Sequence, residues 1–193
     1  MEALQYSSED KKELLNLAKE SLRFYLAHGR MMDVPVWAEE KFSTKQGCFV
    51  TLHEKGMLRG CIGTIEPVYP LYEGIIKNAV AAAMQDPRFP PVKKEEFEEL
   101  EFEVSILSVP EELQYSSSDE LIQTLEKQKP GVIISRGVHS STFLPQVWEQ
   151  LPDPQEFLDN LCLKAGLSPD EWKNSTLKVN TYTAEVFNEK EMN

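Results

Sequence analysis

Apolar and polar positions along this chain recur with two periods, and the switches between them mark out helices and strands. Over residues 9–28 the period is helical. Leu14, Ala18, Leu22 and Tyr25 share one face, Ser7 or Ser8 can cap the start, Glu9 and Asp10 suit the positive end of the dipole, and Gly29 suits the stop. Residues 47–53 and 58–65 are short β-branched and apolar runs around Lys55-Gly56, which predicts a hairpin. With Lys55-Gly56 as a two-residue turn, Val50 faces Cys61, Leu52 faces Arg59 and Cys48 faces Gly63, and His53 points to the sheet face opposite Cys61. Cys48 and Cys61 are then diagonal neighbours about 7–8 Å apart, too far for a disulfide without movement. A second helix is expected over 69–85, with Leu71, Ile75, Ala79 and Ala82 on one face. The small residues from Ala79 to Ala83 let another backbone come close, most simply a sheet, and the prolines that follow Asp86 end the helix.

Beyond residue 100 the period is two: Leu100, Phe102, Val104 and Ile106 take one side, Glu101, Glu103 and Ser105 the other. A strand with one wet face belongs in an antiparallel or mixed sheet. A short helix is expected over 119–127, with Ser117 and Glu120 as a capping box. Pro130-Gly131 turns the chain into a strand over 132–135, Gly137 begins a return, and 141–145 is the partner strand. Asp153-Pro154-Gln155-Glu156 and Ser168-Pro169-Asp170-Glu171 each supply an N-cap, a first-turn proline and a glutamate, so each predicts a helix start, with Gly166 closing the first helix. A final strand is expected over 177–187, where Tyr182, Ala184 and Val186 alternate with more polar neighbours. Hairpin-joined strands with helices inserted unevenly indicate an α+β fold with an antiparallel or mixed sheet packed against helices.

Composition narrows the function classes. At 193 residues the chain fits a single domain, or one domain built from two lobes. Lys and Arg number 20 against 32 Asp and Glu, a net charge of −12. Such a chain lacks the clustered cations that nucleic acids and anionic membranes require. No apolar run approaches the ~20 residues of a spanning helix. Residues 1–5 carry no basic start and no apolar segment, and there are three cysteines. Together these predict a reducing, cytoplasmic setting without a disulfide framework. There is no GxxxxGK[ST] loop, no GxGxxG fingerprint, no HExxH and no CxxC, and His28, His53 and His139 are isolated. No metal site is expected, and no cofactor is indicated.

Three segments can carry chemistry. In Leu58-Arg59-Gly60-Cys61-Ile62-Gly63-Thr64, two glycines inside a strand mark a bulge or a close approach, and leave the thiol in an open groove or beside glycines required for helix packing. Arg59, if nearby, would favour the thiolate. In Asp86-Pro87-Arg88-Phe89-Pro90-Pro91, Asp86 and Arg88 can pair with each other or act as a charged clamp. From Arg136 to Val147 a cation, an imidazole and three hydroxyls cluster, which makes His139 the candidate general base if Cys61 is a nucleophile. Cys48 and Cys162 read as packed, and Trp37, Trp148 and Trp172 as anchors of the core or its rim.

These segments in this order, with Thr142-Phe143-Leu144-Pro145-Gln146-Val147-Trp148, Leu163-Lys164-Ala165-Gly166-Leu167 before Trp172, and Tyr182-Thr183-Ala184-Glu185-Val186-Phe187, resemble the AMMECR family across nearly the whole chain. Its prokaryotic members are labelled protein A of the AmmeMemoRadiSam system. The resemblance implies a single AMMECR-type domain over 1–193, α+β, with two unequal lobes and the cysteine motif near a cleft between them. It also implies company with a Memo-like protein and a radical-SAM protein, and it leaves the activity open. Where many relatives carry a more basic stretch before Leu-Pro-Gln, this chain has Val138-His139-Ser140-Ser141, which argues against a phosphate clamp. The expectation is an enzyme-like domain acting on a small molecule or peptide by thiol-dependent group transfer or hydrolysis. Cys61 and His139 would be catalytic, and Arg59, Gly60, Gly63, Asp86, Arg88, Ser140 and Gln146 would bind. The alternative is a noncatalytic binding or scaffold subunit.

Overall fold

The structure, a computed structural model, describes residues 6–173 and 177–191. In chain order the elements are α1 (Ser8–His28), α2 (Val36–Lys41), β1 (Cys48–Glu54), β2 (Met57–Thr64), α3 (Leu71–Met84), β3 (Leu100–Leu107), β4 (Glu111–Glu112), α4 (Ser118–Gln128), β5 (Gly131–Arg136), β6 (His139–Phe143), α5 (Pro154–Lys164), β7 (Lys178–Tyr182) and β8 (Ala184–Asn188). Short 3₁₀ helices occupy Lys94–Glu99, Pro145–Glu149 and Glu171–Lys173. The fold is α+β, as expected, and divides into two unequal units. The larger takes the chain as far as Val109 and resumes at Glu185; the smaller is Pro110–Ala184. Each has its own sheet, ordered β2-β1-β3-β8 in the larger and β4-β7-β5-β6 in the smaller.

In the larger unit, α1 opens with a capping box. The Ser7 hydroxyl accepts the Asp10 N–H, and the Asp10 carboxylate accepts the Ser7 N–H at 2.9 Å. Its apolar face, Leu14, Leu17, Ala18 and Leu22, is buried together with Leu71, Ile75, Ala79 and Ala82 of α3. The register of β1 against β3 places Cys48 beside Ile106, Val50 beside Val104 and Leu52 beside Phe102, so all six side chains enter that same core. Burying each large aliphatic side chain stabilises the unit by about 1.5–3 kcal/mol.

The β1–β2 hairpin departs from the expected register at one place. Lys55 (φ 53°) and Gly56 (φ 79°) form the two-residue turn in the left-handed conformations that match strand twist. Beside the turn, His53 faces Leu58 and Glu54 faces Met57, as that turn requires. Between Leu52 and His53 the register then shifts, so that Leu52 faces Gly60, Thr51 faces Cys61 and Cys48 faces Thr64. Arg59 is the inserted residue of a β-bulge. The cause is the helix behind the strand: a Cβ at position 60 would collide with the Ala82 carbonyl of α3, so the glycine must be the residue opposite inward-facing Leu52. The expected pairing of Cys61 with Val50 is therefore corrected to Thr51, and Cys61 shares the face of His53 instead of opposing it.

In the smaller unit, Ser117 caps α4 by accepting the Glu120 N–H at 3.2 Å, while the Glu120 carboxylate takes the N–H of Ser116, one residue earlier than a capping box would. The Trp148 ring stacks on Phe157 at 3.8 Å, and its indole N–H donates to the Pro130 carbonyl at 2.7 Å. Cys162 is buried in the same cluster, as expected. Strand β6 begins at His139, two residues before the expected start. No helix follows Ser168 within the described residues. The Ser168 hydroxyl donates to Asp170 and the buried Trp172 donates to Asp159 at 2.6 Å, which holds the segment as a turn and a 3₁₀ step. Residues 174–176 of that expected helix lie outside the described residues. The single strand expected over 177–187 is two strands, because Val179 is buried in the smaller core and Phe187 in the larger.

Candidate functional site

Strand β2 is the edge of its sheet, so alternate N–H and C=O groups point away from β1 without a strand partner. At Cys61 both are met by side chains. The N–H donates to Asp86 Oδ2 at 2.9 Å, and the carbonyl lies 3.4 Å from Arg88 Nη2. Asp86 and Arg88 are joined to each other by Nε to Oδ1 at 2.9 Å and Nη2 to Oδ2 at 2.7 Å, and the Arg88 N–H adds a third bond to Oδ1 at 3.1 Å. This is fork-to-carboxylate geometry. The Asp86 side chain is 2% exposed and that of Arg88 53%, so a buried anion carries a half-exposed cation. The guanidinium, together with the two backbone N–H groups, holds the Asp86 carboxyl well below the usual carboxylate range. The segment after α3 thus supplies Cys61 with what a neighbouring strand would.

The Cys61 sulfur is half-buried and accepts a hydrogen bond from Thr51 Oγ1 at 3.2 Å. Burial pushes the thiol above its ordinary value. The Thr51 bond and the Arg88 charge pull it down, while Asp86 and Glu103 add to the rise. Thr51 also stands opposite Glu103 of β3, so thiol, hydroxyl and carboxylate form a row across three strands on the sheet face away from α1 and α3. Burial raises the Glu103 carboxyl, the nearby His53 opposes the rise and Glu191 adds to it. Among the described residues no hydrogen bond or ion pair reaches the Glu103 carboxylate.

Other expected residues serve other ends. Arg59, expected beside the thiol, is instead buried, with Nη2 on Glu96 at 2.9 Å and Nη1 on the Pro90 carbonyl at 2.9 Å; the bulge turns it away from Cys61. Gly60 admits the Ala82 carbonyl, and the Phe49 ring lies where a side chain at Gly63 would be. His139, Ser140 and Gln146 belong to the smaller unit. His139 is exposed, with Nδ1 3.0 Å from the Ala165 carbonyl. A carbonyl only accepts, so Nδ1 is the donor in this contact. Ser140 donates to the Ile134 carbonyl at 3.0 Å and Ser141 to that of Leu161 at 2.6 Å, so these hydroxyls hold the fold. Gln146 Oε1 is buried with no partner among the described residues. Arg136 pairs with Glu171.

Thr51, Glu103 and His53 were not singled out by their sequence context. Gly60 was the available signal: a glycine within a strand marks a bulge, and moving the register by one residue brings Thr51, Glu103 and His53 onto the thiol's face. Among the described residues no three His, Cys, Asp or Glu side chains cluster as metal ligands.

An α+β protein of two sheet-bearing units, with a thiol on an edge strand that an Asp–Arg pair completes, is the class these features define. Residues 15–187 match the family model described as AMMECR1, and the chain belongs to that family. It is 41% identical over 184 residues to a protein of Thermococcus onnurineus (strain NA1), covering 91% of this chain and 88% of that one. It is 38% identical to a protein of Methanothermobacter thermautotrophicus (strain ATCC 29096 / DSM 1053 / JCM 10044 / NBRC 100330 / Delta H), covering 95% and 96%. The crystal structure of uncharacterized protein PH0010 from Pyrococcus horikoshii superimposes with a TM-score of 0.83 at 40% identity, covering 92% of this chain and 90% of that one. Among the described residues no helix is long and apolar enough to cross a membrane.

Proposed function

We propose that the protein is a binding module whose ligand-facing surface is the outer sheet face of the larger unit, from Arg88 across Cys61 and Thr51 to Glu103 and His53. The ligand is a small molecule or peptide held without covalent attachment. The state of Cys61 carries this reading. A nucleophilic cysteine works as its thiolate. Here burial holds the proton on, and the sulfur's described hydrogen bond comes from a neutral hydroxyl and not from an imidazolium or ammonium. The flanking glycines are accounted for by packing against Ala82 and Phe49. Such a module would serve in the cytoplasm beside Memo-like and radical-SAM proteins, with its net charge of −12 steering basic partner surfaces toward it.

Thiol-dependent group transfer or hydrolysis, with Cys61 as nucleophile, is the second reading. The partial exposure of Cys61 and the Arg88 charge that favours its thiolate support it. The pH dependence of Cys61 alkylation, followed by mass spectrometry on the folded chain, separates the two. The binding reading expects a rate still climbing above the ordinary cysteine value of about 8.5. A plateau already reached at neutral pH would replace it with the group-transfer reading.

A further inference from the structure

Two charged groups stand at opposite ends of the polar row, each with unused capacity. At the β2 edge, Arg88 commits Nε and Nη2 to Asp86 and the Cys61 carbonyl, which leaves the two N–H groups of Nη1 without a described partner. Its side chain is 53% exposed. At the far end, on β3, Glu103 is half-buried. Its neighbours along the sheet are already neutralised: Glu101 pairs with Lys190 at 2.7 Å and Glu189 with Lys19 at 2.8 Å. Among the described residues Glu103 has no ion pair; His53 acts on it only at longer range, and Lys190, which lines the same groove, is taken by Glu101. A groove of about 220 Å³, walled in part by His53, Phe102 and Asn188, opens beside it.

Resting on the binding reading above, we propose that this row recognises a short peptide with both termini free. Its carboxylate sits on Arg88 Nη1 and its ammonium on Glu103, with Thr51 and Cys61 beneath the chain between them. The spacing selects the length. Neighbouring strands lie about 4.8 Å apart, so Cys61 and Glu103, two strands apart in one row, are separated by about 10 Å, and Arg88 stands further out, across the open edge of β2. Three extended residues span about 10 Å and a charge-assisted bond adds about 3 Å at each end, whereas a single amino acid cannot reach from Arg88 to Glu103. The sign of the charges selects the class. A nucleotide or sugar phosphate would meet one cation already shared with Asp86 and, at the other end, the Glu103 carboxylate. A zwitterion satisfies both ends, and an ammonium brought to a half-buried carboxylate forms a charge-assisted bond that water screens little.

Calorimetric titration of the full chain with trialanine, N-acetyl-trialanine and trialanine amide tests this. Trialanine is expected to bind, and blocking either terminus to weaken binding by about tenfold or more. In Glu103→Gln the free and acetylated peptides should bind equally weakly, while the amide still loses affinity. The variant changes one side-chain atom on a half-exposed position, so its folding can be checked by its thermal midpoint. Equal binding of all three peptides, no binding of trialanine at millimolar concentration, or an unchanged terminus preference in Glu103→Gln overturns the proposal. The cysteine alkylation profile is independent of these titrations. A late-titrating thiol with no peptide binding removes the peptide alone, and an early-titrating thiol removes the binding reading itself.

Discussion

The carboxylate of Asp86 lies 2.9 Å from the main-chain nitrogen of Cys61, twenty-five positions away in the chain, and accepts the hydrogen bond that no strand is present to take. A sheet edge that stays open invites pairing with another chain. Here the edge is closed by a side chain at the one residue whose thiol faces the candidate site. Arg88 completes the closure from the carbonyl side, and Asp86 orients Arg88. The same ion pair therefore fixes the Cys61 backbone and presents a cation beside its sulfur. Structure and site are one feature at this position.

Removing the Asp86 carboxylate should be costly. In Asp86→Ala the Cys61 N–H loses its acceptor and Arg88 loses its anion, so the unit should lose about 2–4 kcal/mol. Asp86→Asn keeps one acceptor oxygen and should lose less. Urea denaturation reads both, and equal stability of Asp86→Ala and the parent chain would show that water replaces the carboxylate at no cost.

Acid should act through the same kind of group. Asp10 is lowered to about 2 by its bond to Lys41 and then by Ser7, and Asp86 is held well below the usual range by Arg88. A carboxylate whose folded value is depressed contributes stability above its unfolded value of about 4, and the contribution disappears as pH falls through the folded value. The urea midpoint should stay level from pH 7 to about 5, then fall between pH 4 and 2. In Asp10→Asn the drop over that interval should be shallower.

Gly60 makes the strongest steric prediction. A methyl group at this position would meet the Ala82 carbonyl, a backbone atom that can yield only if α3 lifts from the sheet. Gly60→Ala should cost about 3 kcal/mol in denaturant unfolding. Gly137→Ala is the comparison: nothing lies within 4 Å of its Cβ position and its φ of 60° imposes only local strain, worth roughly 1–2 kcal/mol. If the two variants are equally stable, the strand does not depend on close approach to the helix.

What could be read ahead of the structure follows from how far each feature depends on distant residues. The core side of β3 was legible because Leu100, Phe102, Val104 and Ile106 alternate with Glu101 and Glu103, and a period of two has only one way to face a core. The start of α1 was legible because Ser7 and Asp10 satisfy each other locally. The bulge at Arg59 was not, since it is set by a carbonyl on α3 that no pattern within the hairpin reports. The division between β7 and β8 was hidden for a related reason: both halves alternate acceptably, and only the existence of two cores separates Val179 from Phe187. Asp86 and Arg88 were legible as a pair, but their closure of the β2 edge depends on strand order, which is a property of the whole sheet.

The three thiols should separate by reactivity, and Thr51 should tune the one that reacts. Cys48 is enclosed in the larger core, and burial pushes its thiol up to about 12; Cys162 is equally enclosed in the smaller core. Both should resist alkylation until unfolding, leaving Cys61 as the labelled residue of the native chain. Thr51 donates to the Cys61 sulfur, and a donor stabilises the thiolate more than the thiol. Thr51→Val keeps the shape of the side chain and removes that donor, so the midpoint of Cys61 alkylation should move to higher pH. Thr51→Ser restores the donor and should return the midpoint toward the parent value, which mere loosening of the strand would not do. Alkylation rates at a series of pH values, read by mass spectrometry, distinguish these outcomes. A midpoint that Thr51→Val leaves in place would mean that the hydroxyl's proton points elsewhere and that the row is not coupled to the sulfur.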